Sequence, residues 1–321
     1  MKIIVADIGG THARFALAEL QPGTRPVLGE MRKYRTRDYE GLAGAWARFE
    51  QDNQEALPRA AALAVAAPIE GETLTFMNSD WRIPREGLAG HLGLDRITLV
   101  NDFGAVAFAV SIMAPEDFIA ITGPGDLPVD GVTSVIGPGT GLGVSILDRR
   151  GGDVRVIETE AAHIGFVPLD PEEEELSDAI TARYGRASVE RVVSGPGLID
   201  IHHFLGGGGE WDAARAGDLW AAAIDGADPL AVQALAILVR CFGAAAGDIA
   251  LAHGAMGVAL TGGLANRIEQ LLRSPAFEAR FTAKGRYRSR MQRTPVRLLT
   301  FDEPGLLGAA VAFERQWAGL G

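Results

Sequence analysis

Four scarcities bound this chain of 321 residues. Cysteine occurs once, as Cys241, which excludes an internal disulfide and a zinc site built from cysteines. That thiol stands in the apolar run ALAILVRCFGAAAG and reads as a core residue, not a nucleophile. Basic charge is short: 30 Lys and Arg face 41 Asp and Glu, a net charge of −11. Nucleic acids and anionic membranes recruit basic surfaces, so neither is expected as a partner. Any phosphate must then be held locally, by backbone N–H groups and metal. No uncharged apolar run reaches transmembrane length, and Asp7 interrupts the first apolar stretch where a cleavable signal would need none, so the expected location is the cytoplasm. Two phosphate-handling signatures are also missing, the GxxxxGK[ST] loop and the HRD…DFG set of protein kinases.

Glycine, by contrast, is abundant, with 41 residues, and hydrophobic residues make up 47% of the chain. The length suits two domains with sizeable cores. Strand-like and helix-like runs alternate, the pattern of an α/β protein. In the first half, IIVA and ARFALA read as a hairpin, VLGEMRKYRT as a third strand, YEGLAGAWARFEQDN as an amphipathic helix, and AALAVAAPI, TLTFMN and RITLVND as strands. FGAVAFAVSIM reads as the helix that follows. In the second half VTSVIGPGTGLGVSILDRR is again a hairpin, with VRVIETE as its third strand. PEEEELSDAITARYG reads as a helix whose Glu172–Glu175 run is a solvated first turn. Asp228 and Pro229 give an N-cap and first position for a long helix that Gly254 stops. VALTGGLANRIEQLL reads as strand, turn and helix, VRLLTFD as a last strand and PGLLGAAVAFERQW as a last helix. His202 and His203 read as a surface or helix-end pair, not as ligands.

The hairpins IIVADIGGTHARFAL and TSVIGPGTGLGVSIL repeat one design: strand, turn of glycine and threonine, strand, then a third strand. A glycine turn exposes backbone N–H groups and tolerates positive φ. Two such halves facing each other would put two phosphate-binding turns on opposite walls of one cleft.

Five motifs fall in one order: DIGGT at 7–11, ND at 101–102, GPGTGLG at 137–143, TEAAH at 159–163 and TGG at 261–263. MNSDW (77–81), SVERVVSGPGL (188–198) and FDEPGLLGAA (301–310) join them. In this order and spacing the chain resembles the bacterial glucokinase family, within the hexokinase and actin-like ATPase superfamily, over nearly its whole length. The resemblance implies a two-domain actin-like ATPase (ribonuclease H-like) fold. Each domain would be a mixed sheet with flanking helices, a cleft between them: a small domain of residues 1–112 plus 303–321 and a large one of 113–302. It implies ATP-dependent transfer of phosphate to the 6-hydroxyl of glucose, with ATP and Mg²⁺ required and a homodimer as the assembly.

It also implies roles for single residues. Asp102 is the general base, since a sugar hydroxyl attacks phosphorus only when its proton has somewhere to go. Asn78, Asn101, Glu160, His163 and Glu190 would bind the sugar beside it. Carboxylates accept from hydroxyls, and a neutral imidazole donates or accepts. Glu160 and His163 lack a third ligand at metal spacing. Gly9, Gly10 and Thr11, with Gly139, Thr140 and Gly141, would face the phosphates, and Gly262 and Gly263 the adenosine. Asp7 would hold Mg²⁺ through water, because that ion keeps most of its hydration.

The sequence departs from the family pattern at His12, Ala161, Ala162 and Gly165, where Asn, two glycines and an acid are expected. Methyl groups at 161 and 162 would shift the backbone near the sugar. Two alternatives follow: a kinase for another hexose, and a non-catalytic sugar or nucleotide sensor on the same fold.

Overall fold

The computed structural model describes every residue except 54, 68, 70, 77–79, 208–215 and 319–321. The chain forms two compact units, Met1–Met113 with Phe301–Gly321, and Ala114–Thr300.

In the first unit β1 (Lys2–Ile8) and β2 (His12–Glu19) pair antiparallel, with Asp7 opposite Arg14 and Ile8 opposite Ala13. The run expected as one third strand is two, β3 (Val27–Leu28) and β4 (Arg32–Arg35), both on the outer edge of β2. Gly29 still donates its N–H to Leu17 O, at 2.8 Å, before the chain leaves the ladder and rejoins it further along β2. Helix α1 (Leu42–Asp52) buries Leu42, Ala45, Trp46 and Phe49, one face at helical spacing. Strand β5 (Ala60–Val65) lies parallel to β1 and is buried throughout. A small ladder of β6 (Thr73–Thr75) and β7 (Arg82–Pro84) and the short α2 (Leu88–His91) lead to β8 (Arg96–Asn101), parallel to β5. Helix α3 (Asp102–Val110) starts on the next residue. The strand order is β3-β2-β1-β5-β8, with β4 also on β2. Alternation along β1 feeds two cores: Ile4, Ala6 and Ile8 pack with Trp46 and Phe49, while Ile3 and Val5 face the other side of the sheet.

The second unit repeats the scheme. Its strands are β9 (Phe118–Thr122), β10 (Gly131–Pro138), β11 (Leu142–Arg150) and β12 (Asp153–Thr159). Then come α4 (Pro171–Tyr184), α5 (Val189–Val192), α6 (Gly195–Phe204), α7 (Ala216–Asp225) and α8 (Pro229–Ala252). Strand β13 (Gly257–Leu260), α9 (Gly263–Arg267), α10 (Glu269–Leu272), α11 (Pro275–Thr282), α12 (Arg288–Met291) and β14 (Val296–Leu299) complete it. The order is β12-β11-β10-β13-β14-β9. As in the first unit, a hairpin carries extra antiparallel pairing on its outer edge and two parallel strands inside. Only β9, antiparallel to β14 at the far edge, is added.

Helix α8 is capped by Asp228, whose Oδ1 accepts the N–H groups of Leu230 and Ala231. It is long and apolar enough to span a membrane, yet it is buried as the core of this unit, Cys241 included. A Cβ at Gly243 would overlap the carbonyl of Phe277, so glycine lets α11 approach α8 closely.

One further sequence expectation fails here. Glu173, expected in a solvated turn, is 1% exposed. Its carboxylate accepts the Leu169 N–H at 2.9 Å and pairs with Arg280, because this turn of α4 faces cations carried by α8 and α11. His202, read as a surface or helix-end residue, stands in the last turn of α6 and is buried there.

The final helix, α13 (Pro304–Trp317), returns to the first unit. It covers the Ile3 and Val5 side of the sheet and packs on α3 so closely that a Cβ at Gly308 would overlap the Ala105 carbonyl.

Candidate active site

The first unit gathers its predicted site residues along one sheet edge. In the parallel register Ile8 lies level with Val65, and Val65 with Asn101. Asp7 and Asn101 therefore sit at the carboxyl ends of strands two places apart, about 10 Å by two inter-strand spacings. That edge of an open α/β sheet is where ligands bind.

The turn after β1 is strapped by Thr36, whose Oγ1 donates to Gly10 O at 2.6 Å and whose N–H donates to Thr11 O at 3.1 Å. Gly9 and Gly10 do not have positive φ, and a Cβ at Gly9 would meet only ordinary contact with His12 O at 3.6 Å. The fold itself does not demand glycine at position 9. Gly139 and Gly263 are alike in this: neither has positive φ, and a Cβ there would meet open space. Gly262 is the opposite case. Its φ is 96°, and a Cβ would lie 3.0 Å from Pro138 O.

Asp7 is not alone. Arg14 Nη1 donates to its Oδ2 at 3.0 Å, and Arg14 Nε lies 3.3 Å from Glu303 Oε2. Burial pushes the Asp7 carboxyl above its usual range, against the pull of Arg14. Burial raises Glu303 too, opposed by Arg14 and reinforced by Asp7. Glu303 is the one non-glycine residue with positive φ among those described (φ 53°, ψ 51°). Backbone of that kind costs about 1–2 kcal/mol in a non-glycine residue. Gly305, two residues on, places its backbone against Asp7, where a Cβ would sit 3.2 Å from the carboxyl carbon. Sequence reading missed both Arg14 and Glu303. The hairpin register would have put Arg14 opposite Asp7, whereas no local signal marks Glu303.

Asn101 caps α3: its Oδ1 accepts the N–H groups of Phe103 and Gly104 at 2.9 and 3.2 Å. Asp102 opens the helix, where the helix dipole favours negative charge, and its Oδ1 accepts from Phe103 N at 2.8 Å. Asn78 lies outside the described residues.

The second unit brings Glu160, His163 and Glu190 together. His163 Nε2 is 3.5 Å from Glu160 Oε2, and His163 Nδ1 is 3.9 Å from Glu190 Oε1. Residues 161–163 form one 3₁₀ turn after β12. Ala162 is buried in the core, and Ala161 packs against the same core. Gly165 bridges to Ser188, stitching this segment to α5.

Glu190 also reaches the glycine turn. Its Oε2 accepts the Leu142 N–H at 3.0 Å, and a Cβ at Gly141 would overlap that oxygen. The turn closes through Gly139 N–H to Gly141 O at 2.7 Å. Gly195 N–H donates to Gly139 O at 2.8 Å, and Trp220 Nε1 fixes the Gly195 carbonyl at 3.2 Å. The SGPGL segment is thus a buttress beneath the turn. With Gly262 against Pro138, three glycine segments converge at the carboxyl end of β10.

Known proteins resemble this chain throughout its length. The family model described as Glucokinase matches residues 4–316. A glucokinase of Zymomonas mobilis is 43% identical over 321 residues, with 99% of each chain covered. A glucokinase of Stenotrophomonas maltophilia is 38% identical over 315 residues, covering 96% of this chain and 93% of its own. Among solved structures, the glucokinase of an Antarctic psychrotroph superposes with a TM-score of 0.83 at 28% identity, covering 98% of this chain and 99% of its own.

Proposed function

The chain belongs to the glucokinase family, and from that premise we propose how its residues phosphorylate glucose with ATP. It is an ATP-dependent hexose kinase with the two-domain actin-like ATPase fold. Asp102 is the general base. Its carboxylate takes the proton of the glucose 6-hydroxyl as that oxygen attacks the γ-phosphorus, the bond to the β–γ bridging oxygen breaks, and glucose 6-phosphate and ADP leave. Asn101, Glu160, His163 and Glu190, with Asn78, hold the sugar hydroxyls. An epimer with one hydroxyl inverted would leave a polar side chain of that set unpaired, which gives selectivity. Gly9–Thr11 and Gly139–Gly141 present backbone N–H groups to the phosphates, and Gly262 and Gly263 lie against the adenosine. The observation that carries this reading is the register that sets Asp102 on the same sheet edge as a glycine turn whose first glycine the fold does not require.

Mg²⁺ is part of the same proposal. Among the described residues no group of three or more His, Cys, Asp or Glu would cage a metal. A hydrated ion that meets one carboxylate, Asp7, and the nucleotide phosphates suits that donor set. Bound there it would neutralise charge on the phosphates. We also place the enzyme in the cytoplasm, as a homodimer, at the entry of glucose into glycolysis; the family resemblance supports these assignments.

ADP release by the purified protein with Mg-ATP, with and without glucose and beside a panel of other hexoses, tests the reaction. Asp102→Asn lowers kcat about 10²–10⁴-fold while glucose binding by calorimetry survives. Normal turnover in that variant would sink the assignment of the base. Release with another hexose in preference to glucose would favour the alternative substrate, and glucose binding without turnover in the unaltered chain would favour a sensor.

A further inference from the structure

One carboxylate in the second unit serves two neighbours. Glu190 Oε1 faces His163, within the polar trio assigned to the sugar. Oε2 accepts the N–H of Leu142, the residue that closes the phosphate turn opposite Pro138. The side chain is anchored at its base. Val189 and Val192 of α5 are buried, Ser188 caps the helix, and Val189 N–H donates to Ile164 O at 3.0 Å, one residue after His163. The tip of the turn is shaped to admit the carboxylate, since any Cβ at Gly141 would displace it.

We propose that Glu190 is a positioning residue that couples the two substrates, its Oε1 taken by a hexose hydroxyl while Oε2 holds the turn in the shape that receives the nucleotide. This rests on the glucokinase reading above. A carboxylate hydrogen-bonded on one side only keeps rotational freedom, and the turn it holds shares that freedom. A hexose on Oε1 fixes the side chain, so Leu142 and the turn are ordered before the nucleotide arrives, and less ordering remains to oppose its binding. Coupling of this kind is reciprocal: nucleotide must raise hexose affinity by the factor by which hexose raises nucleotide affinity.

The test combines exchange of the Leu142 amide with calorimetry. In the unaltered protein glucose alone slows hydrogen exchange at Leu142, and glucose tightens binding of the Mg²⁺ complex of a non-hydrolysable ATP analogue by about fivefold or more. In Gly141→Ala the methyl displaces the flexible Glu190 side chain; glucose no longer protects Leu142, and the coupling factor falls towards one. Glu190→Gln keeps an acceptor oxygen for Leu142 and changes the group offered to the sugar, so glucose affinity drops while the coupling factor stays. The proposal is overturned if glucose leaves Leu142 exchange unchanged in the unaltered protein, or if Gly141→Ala retains both the protection and the factor. Those results with intact glucose-dependent ADP release would remove only the coupling. Absence of that release from the unaltered protein would remove the kinase reading itself.

Discussion

The two glycine hairpins are built alike and charged differently. The first turn spans residues 9–12 between the pair Ile8 and Ala13, and the second spans 139–141 between Pro138 and Leu142. Beneath the first, the stem carries Asp7 opposite Arg14. Beneath the second it carries Gly137 opposite Gly143, with no charge at all. The second turn receives its carboxylate from a different element, Glu190 on α5. The repeated hairpin is therefore only a frame for backbone N–H groups. A charge fixed in a strand cannot move when another ligand binds, which suits holding a cation. A charge brought by a separate helix can answer to a second ligand.

Four further variants break or sharpen this contrast. The largest effect comes from Gly308→Ala, which drives a methyl into the Ala105 carbonyl and separates α13 from α3, the helix headed by Asp102. Overpacking of this kind costs about 3 kcal/mol, read as a lower urea midpoint for the first unit. Glu160, His163 and Glu190 belong to the other unit, so residual glucose binding should outlast the loss of turnover. Next, Asp7→Asn should weaken the dependence of nucleotide binding on Mg²⁺ about 10–100-fold, the scale for metal-site changes. It should leave the glucose–nucleotide coupling factor untouched; a lost factor would show that the two turns are not independent. Glu303→Gln comes third. Releasing Arg14 from one of its two anions should raise KM for ATP by a few-fold and leave glucose affinity unchanged in a titration. The smallest effect is expected for Glu303→Gly. Relief of left-handed backbone offsets the lost ion pair, so stability stays within about 1 kcal/mol of the unaltered protein. A KM for ATP that rises as in Glu303→Gln would then show that the strain is retained for the site, and an unchanged KM would show that it is not.

Much of this was legible in the sequence because the signals were local. Both hairpins declared themselves through β-branched runs broken by glycine and threonine, and α8 through Asp228, Pro229 and Gly254. The order of the short motifs carried the family. What stayed hidden depends on partners distant in the chain. Glu173 reads as a surface acid until Arg240 and Arg280 arrive from other helices. The division into β3 and β4 depends on where β2 accepts them, not on composition. The bond from Glu190 to Leu142 joins residues 48 positions apart, and a motif search sees each without the other. The Asp7–Arg14–Glu303 cluster needs both ends of the chain at once.

Cys241 offers a practical consequence. It is the sole thiol, fully buried in α8, and burial holds it well above the ordinary cysteine pKa. An aromatic disulfide reagent finds no thiolate while α8 stays packed. Labelling then clocks the opening of the second unit alone, without a dye, a tag or an introduced residue. Ligands that bind this unit should slow that clock in proportion to their occupancy.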